Sequence, residues 1–113
     1  MLNVLFVCSA NQWRSPTAER VFSRHPRLRV RSAGTAARAR RKLGAADLRW
    51  AELVMVMEHK HADRIRAEFP RLAQYLPIEV LDIPDHYRAM DPALVELLER
   101  VVQPILDRYL EVR

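Results

Sequence analysis

A chain of 113 residues, half of them apolar and 29% charged, has the size and balance of one ordinary globular domain, expected to span residues 1–113. No apolar run reaches the roughly 18 residues of a membrane helix, Met1-Leu2-Asn3-Val4 lacks the basic start of a leader, and the single cysteine, Cys8, leaves no disulfide framework, so a cytoplasmic location without membrane contact is expected. Seventeen of the 19 basic residues are arginines, and nine basic residues with no acid lie between Arg20 and Lys42, which favours an anionic partner: a phosphate ester, a nucleic acid or an acidic protein surface.

Leu2 to Val7 is a short apolar run of strand length, suited to a strand covered on both faces. Ser9 to Trp13 have no apolar period. Ser15-Pro16 predicts a helix start, with serine as cap and proline in the first turn. Ala18, Val21 and Phe22 form its buried stripe and Pro26 closes it. Leu28 to Ser32 alternates as a second strand, and Gly34 supplies the turn after it. Ala36 to Lys42 is a basic connector, best taken as solvated although able to steer anionic substrates. Leu43 to Trp50 predicts a short helix with Leu43, Ala46 and Trp50 on one side. Leu53 to Met57 is a third buried strand, His59 to Phe69 a helix ended by Pro70, and Ile78 to Ile83 a fourth strand. Asp91-Pro92 opens a last helix through Leu94, Leu97, Leu98, Val101, Ile105 and Tyr109, with a kink expected at Pro104. Trp50, Met55 and Met57 are assigned to the core.

Strands alternating with helices predict an α/β, doubly wound, mainly parallel sheet with right-handed crossovers. Ligands of such sheets bind beyond the carboxyl ends of the strands, where Cys8 sits. The junction Cys8-Ser9-Ala10-Asn11-Gln12-Trp13-Arg14-Ser15-Pro16 combines three capacities. A thiol facing a helix N-terminus is favoured as thiolate. The loop can aim successive backbone N–H groups into a nest for a tetrahedral oxyanion. Arg14 can add a bidentate fork. The loop has no glycine, so Asn11 is expected to supply the left-handed turn.

Val7 to Glu19 resembles the signature loop of the low-molecular-weight protein tyrosine phosphatases, and Ser32-Ala33-Gly34-Thr35 matches a second motif of that family. The resemblance implies a four-stranded parallel sheet of order 2-1-3-4 in a flavodoxin-like three-layer sandwich. It implies Cys8 as nucleophile, Arg14 as phosphate ligand, Asn11 shaping the loop and Ser15 bonded to the thiolate. Ser9, Ala10, Gln12 and Trp13 complete the phosphate-binding loop. The family's general acid lies in an Asp-Pro-aromatic loop. Asp85-His86-Tyr87 fits its spacing best, with His86 in the proline's place, Tyr87 as a cleft aromatic or a plain core residue, and Asp82 as the alternative acid. The chain departs from the family in lacking residues between Thr35 and Leu43, where a cleft wall normally lies. A histidine that supports the loop asparagine would align near Arg38, and Trp13 stands where many members carry a second cysteine.

The function implied is a phosphatase acting on phosphate monoesters, aryl phosphate or phosphotyrosine foremost, through a phosphocysteine intermediate. Its partners would be phosphorylated small molecules or phosphoproteins, with inorganic phosphate and similar oxyanions as ligands and no cofactor or metal. The alternative is a phosphate- or phosphopeptide-binding module without turnover. A nucleic-acid binder is disfavoured because no aromatic platform is interleaved with the basic residues. Glu58-His59-Lys60-His61 reads as a solvated helix start rather than a metal site, since histidines two apart on a helix do not share a face.

Overall fold

The computed structural model describes residues 1–111; Val112 and Arg113, within the expected domain span, lie outside them. The elements are β1 (Leu2–Cys8), α1 (Arg14–Phe22), β2 (Leu28–Gly34), α2 (Ala45–Trp50), β3 (Leu53–Val56), α3 (His59–Glu68), α4 (Pro70–Ala73), β4 (Ile78–Val80) and α5 (Pro92–Glu111). The strands form one parallel sheet in the order β2-β1-β3-β4, as expected. β1 is central because its residues are apolar in both directions. Val4 and Phe6 face a core closed by Ala18 and Phe22 of α1 and by Leu94, Leu98, Val102 and Leu106 of α5. Leu5 and Val7 face the opposite core, closed by Leu48 of α2, Ala62 and Ile65 of α3 and Ala73 of α4. The period-two alternation of one strand therefore supplies both halves of a three-layer sandwich.

Several element ends differ from the sequence expectation. α1 begins at Arg14, with Trp13 as its N-cap and no capping side chain, because the Ser15 hydroxyl is committed inward instead. It ends at Phe22, ahead of Pro26. Gly34 is the last residue of β2 and has no positive φ, so it makes no turn; it is glycine for space. The buried residue of α2 is Leu48, whereas Ala46 is exposed. Trp50 is only half-buried and lies under the Arg31 guanidinium, 4.4 Å from its ring centre. Pro70 starts α4 as well as following α3, a proline being well suited to a first helical turn. β4 stops at Val80, yet Leu81 and Ile83 still donate to Val56 and Met57; Asp82, at φ 55°, interrupts the strand between those bonds. α5 continues through Pro104. The carbonyl deprived of its donor there belongs to Arg100, and both residues are exposed, so water can serve it.

Candidate active site

At the carboxyl end of β1 the chain turns through Ser9 to Trp13 into α1, and its carbonyls and N–H groups separate onto two sides. Thr35 N donates to Cys8 O (2.9 Å), Ala36 N to Ser9 O (2.9 Å) and Arg40 N to Ala10 O (3.0 Å). The segment after β2 thus holds three consecutive carbonyls on the outside of the loop. Among the described residues, the N–H groups of Ser9 through Trp13 have no acceptor, which leaves them free for an anion. Asn11 takes φ 51°, the left-handed turn expected of it in a loop without glycine.

The close packing of these two segments explains Gly34. A Cβ built there would lie 2.4 Å from Ser9 O, 2.9 Å from Asn11 N and 2.6 Å from the Ala39 Cβ. The Ala36–Lys42 connector is accordingly no loose solvated strap. Its far end returns to Gly34, whose N–H donates to Arg41 O and whose carbonyl accepts from Leu43 N, and Lys42 Nζ donates to Thr35 O (2.6 Å).

Cys8 is buried, and its Sγ lies 2.9 Å from Ser15 Oγ. Asn11 Nδ2 donates one hydrogen to Ser15 Oγ (2.9 Å) and the other to Ser32 Oγ (3.0 Å). Ser32 in turn donates to Glu19 Oε1 at 2.5 Å. Because Ser15 already accepts from Asn11, its own proton is available to the sulfur; the Ala33 carbonyl, at 3.4 Å, is a weaker competitor. A relay thus runs from Glu19 through Ser32, Asn11 and Ser15 to Cys8, and the exposed Arg38, near which a family histidine would align, takes no part in it. The sequence motifs contain both Ser32 and Glu19 but assign neither a role.

Arg14 is buried to 2% exposure beside this loop. Its Nη1 donates to Glu58 Oε2 (2.5 Å) and to Ile83 O (2.8 Å). The Nε and Nη2 edge has no hydrogen-bonded acceptor among the described residues, and Asp85 Oδ1 stands 3.6 Å from Nε. The Arg14 hydrogen bond holds the Glu58 carboxyl below its usual range, outweighing the opposing effect of its partial burial.

The solvated helix start expected at Glu58 to His61 is corrected by the structure. His61 is 1% exposed. The Glu58 backbone N–H donates to His61 Nδ1 (3.0 Å), and His61 Nε2 meets Ser9 Oγ at 2.8 Å. Burial, reinforced by the Arg14 charge, pushes the imidazole down to about 4, so it is neutral at neutral pH. The usable signal was the Glu58/His61 spacing of three at a helix start, directly beyond a strand's carboxyl end, rather than the spacing between the histidines.

The remaining residues divide. Ala10 and Gln12 are exposed on the loop. Trp13 is half-buried, its carbonyl accepts from Thr17 Oγ1 (2.6 Å), and the Arg88 guanidinium stands 5.5 Å over its ring. Met90 N donates to the same Thr17 hydroxyl (2.9 Å), tying the Asp85 loop to the start of α1. Asp85 is 57% exposed and faces Arg14. Asp82 is 75% exposed, pairs with His59 Nε2 at 3.7 Å, and lines a groove of about 510 Å³ with Lys60 and Pro84 that also takes in Glu58 and Ile83, the two partners of Arg14 Nη1. Tyr87 lies half-buried against the core shared by α1 and α5. Among the described residues no group of three or more His, Cys, Asp or Glu side chains could hold a metal ion.

Residues 3–43 match the family model of the low molecular weight phosphotyrosine protein phosphatases. The Wzb low molecular weight protein-tyrosine-phosphatase of Escherichia coli K12 is 30% identical, in an alignment spanning 76% of this chain and 78% of that protein. The chain belongs to the low-molecular-weight protein tyrosine phosphatase family. As a member it is a cysteine-dependent phosphatase, a phosphoric monoester hydrolase. Vibrio vulnificus Wzb, solved with benzylphosphonate, superposes with a TM-score of 0.77 at 26% identity over 95% of this chain and 98% of that one. Wzb of Escherichia coli K30, solved with phosphate, gives 0.74 at 25% identity over 96% and 99%. The YwlE arginine phosphatase of Geobacillus stearothermophilus shares the fold, with a TM-score of 0.73 at 21% identity over 100% of this chain and 98% of that one. These relatives bear out the flavodoxin-like phosphatase fold expected of the chain, and among the described residues no helix is long and apolar enough to cross a membrane.

Proposed function

We propose that residues 1–113 form one phosphatase domain that hydrolyses aryl phosphate monoesters, phosphotyrosine included, by passing the phosphoryl group to Cys8 and then to water. The observation that carries this reading is the Cys8 sulfur at the start of a loop of five N–H groups without acceptors among the described residues, bonded to a serine whose proton is left free for it. A phosphoryl group seated there meets the unpaired N–H groups of Ser9 to Trp13 and the Nε and Nη2 edge of Arg14. Glu58 and the Ile83 carbonyl fix the guanidinium plane by occupying Nη1. The Cys8 thiolate attacks phosphorus opposite the leaving oxygen; the S–P bond forms as the P–O bond breaks. The cradle stabilises the charge on the equatorial oxygens throughout.

Asp85 is assigned as general acid. Its protonated carboxyl gives the leaving oxygen its proton, and the resulting carboxylate then takes a proton from the water that cleaves the S–P bond. Its position over Arg14 supports this role, whereas Asp82 is turned to His59. The reading is tested by assaying the purified, reduced protein on aryl phosphate, phosphotyrosine peptide and phosphoarginine at mildly acidic pH. Aryl turnover is expected. Phosphate binding with no turnover of any of the three would leave a binding module instead.

A further inference from the structure

The Ser9 side chain has no part in the relay that supports Cys8, and His61 has none in the scheme above, yet the two are joined in the wall of the site. The Glu58 N–H points into His61 Nδ1, so in the neutral ring that nitrogen is the acceptor and the single proton sits on Nε2. Nε2–H therefore donates to Ser9 Oγ. A hydroxyl that accepts this bond keeps its own hydrogen, and among the described residues no other partner of Ser9 Oγ is present. The oxygen belongs to the residue directly after Cys8, at the start of the loop whose N–H groups lack acceptors among the described residues. The same turn of α3 reaches Arg14 through the Glu58 carboxylate. The charges acting on His61 are those of Arg14, Glu58, Lys60 and Asp85, all groups of the site or its rim.

We propose that the Ser9 hydroxyl is an additional hydrogen-bond donor to the bound phosphoryl group, aimed by His61 acting as a positioning residue. The inference takes from the phosphatase reading only that a phosphoryl group occupies the cradle. His61 sets the direction: with Nε2–H occupying a lone pair, the Ser9 hydrogen swings away from the helix.

The test measures inorganic phosphate binding by calorimetry and aryl phosphate kinetics for wild type, Ser9→Ala and Ser9→Thr. Ser9→Ala should weaken phosphate binding about tenfold, the usual effect of deleting one donor to a charged acceptor, and lower kcat/KM to match. Ser9→Thr, which keeps the hydroxyl, should restore most of both. His61→Gln, whose amide can still donate, should stay near wild type. His61→Leu, where its circular dichroism matches wild type, should reproduce the Ser9→Ala loss and add little to it in the double variant. Long-range nitrogen–proton correlation of the wild-type ring should show Nε2 protonated and Nδ1 bare. Unchanged phosphate affinity in Ser9→Ala, or a proton on Nδ1, overturns the inference. Wild type that binds phosphate without hydrolysing any ester overturns the hydrolase reading alone, since the Ser9 comparison is read from binding.

Discussion

The two halves of the proposed chemistry are built differently. The cradle from Cys8 to Ser15 has its floor buried. Asn11, Arg14 and Ser15 are almost fully enclosed, the outer carbonyls are held by the segment after β2, and among the described residues no buried side-chain N or O lacks a partner. The Asp85 loop is mostly solvent-facing. Asp85 is more than half exposed and approaches Arg14 at 3.6 Å, and the loop is moored through Trp13–Arg88 and Met90–Thr17. A group that binds charge must be preorganised, because any reorganisation is lost from transition-state stabilisation. A group that gives a proton and takes another must reach solvent between turnovers.

That contrast can be broken in order of effect. Asp85→Asn should slow hydrolysis of poor leaving groups by about 10² to 10⁴-fold, the range for a positioned general acid, and good leaving groups far less. Leaving-group dependence across substituted phenyl phosphates reads this out, and an equal loss for all would return Asp82 to the role. In the cradle, Gly34→Ala should destabilise the protein by about 1 to 3 kcal/mol or more, because its new methyl meets backbone atoms that cannot step aside. Urea unfolding together with phosphate inhibition checks it: both should fall, and a wild-type result in both would mean that the cradle tolerates slack.

Histidine 61 gives a pH-dependent version of the same test. Its folded value of about 4 lies below the ordinary 6.5, so the unfolded chain binds the extra proton between those values. Stability from keeping the ring neutral is complete above pH 6.5 and is lost as pH falls toward 4. Between pH 7 and pH 5 wild type should lose about 2 kcal/mol that His61→Gln does not. Parallel pH profiles for the two proteins would contradict the burial argument. The smallest effect expected is on the exposed side: Asp85→Asn should shift unfolding stability by no more than about 0.5 kcal/mol in either direction.

The same contrast explains what was legible in the sequence. Cys8 to Pro16 is contiguous, so strand end, polar turn, arginine and helix start could be read together, and even the left-handed Asn11 followed from the missing glycines. The sheet order came with the family resemblance, and the apolar runs located every strand to within a few residues. The supports of the loop could not be read in this way. Ser32 lies 21 residues from Asn11, Glu58 lies 44 from Arg14 and His61 lies 52 from Ser9. Only the parallel register brings those strand and helix ends together. Ser15 looked like a cap because serine before proline caps many helices, but its hydroxyl is worth more to Asn11 and Cys8 in a buried site than to a helix end. The docked connector was missed for a similar reason: its arginines are exposed as expected, while the backbone that carries them does the binding.

The central claim is that Cys8 takes the phosphoryl group. Wild type mixed with aryl phosphate, quenched during turnover and digested, should yield a phosphate adduct on the peptide bearing Cys8. Cys8→Ser should lose turnover of that ester while still binding inorganic phosphate. Active wild type with no adduct on that peptide, together with a Cys8→Ser variant that still hydrolyses the ester, would contradict the account.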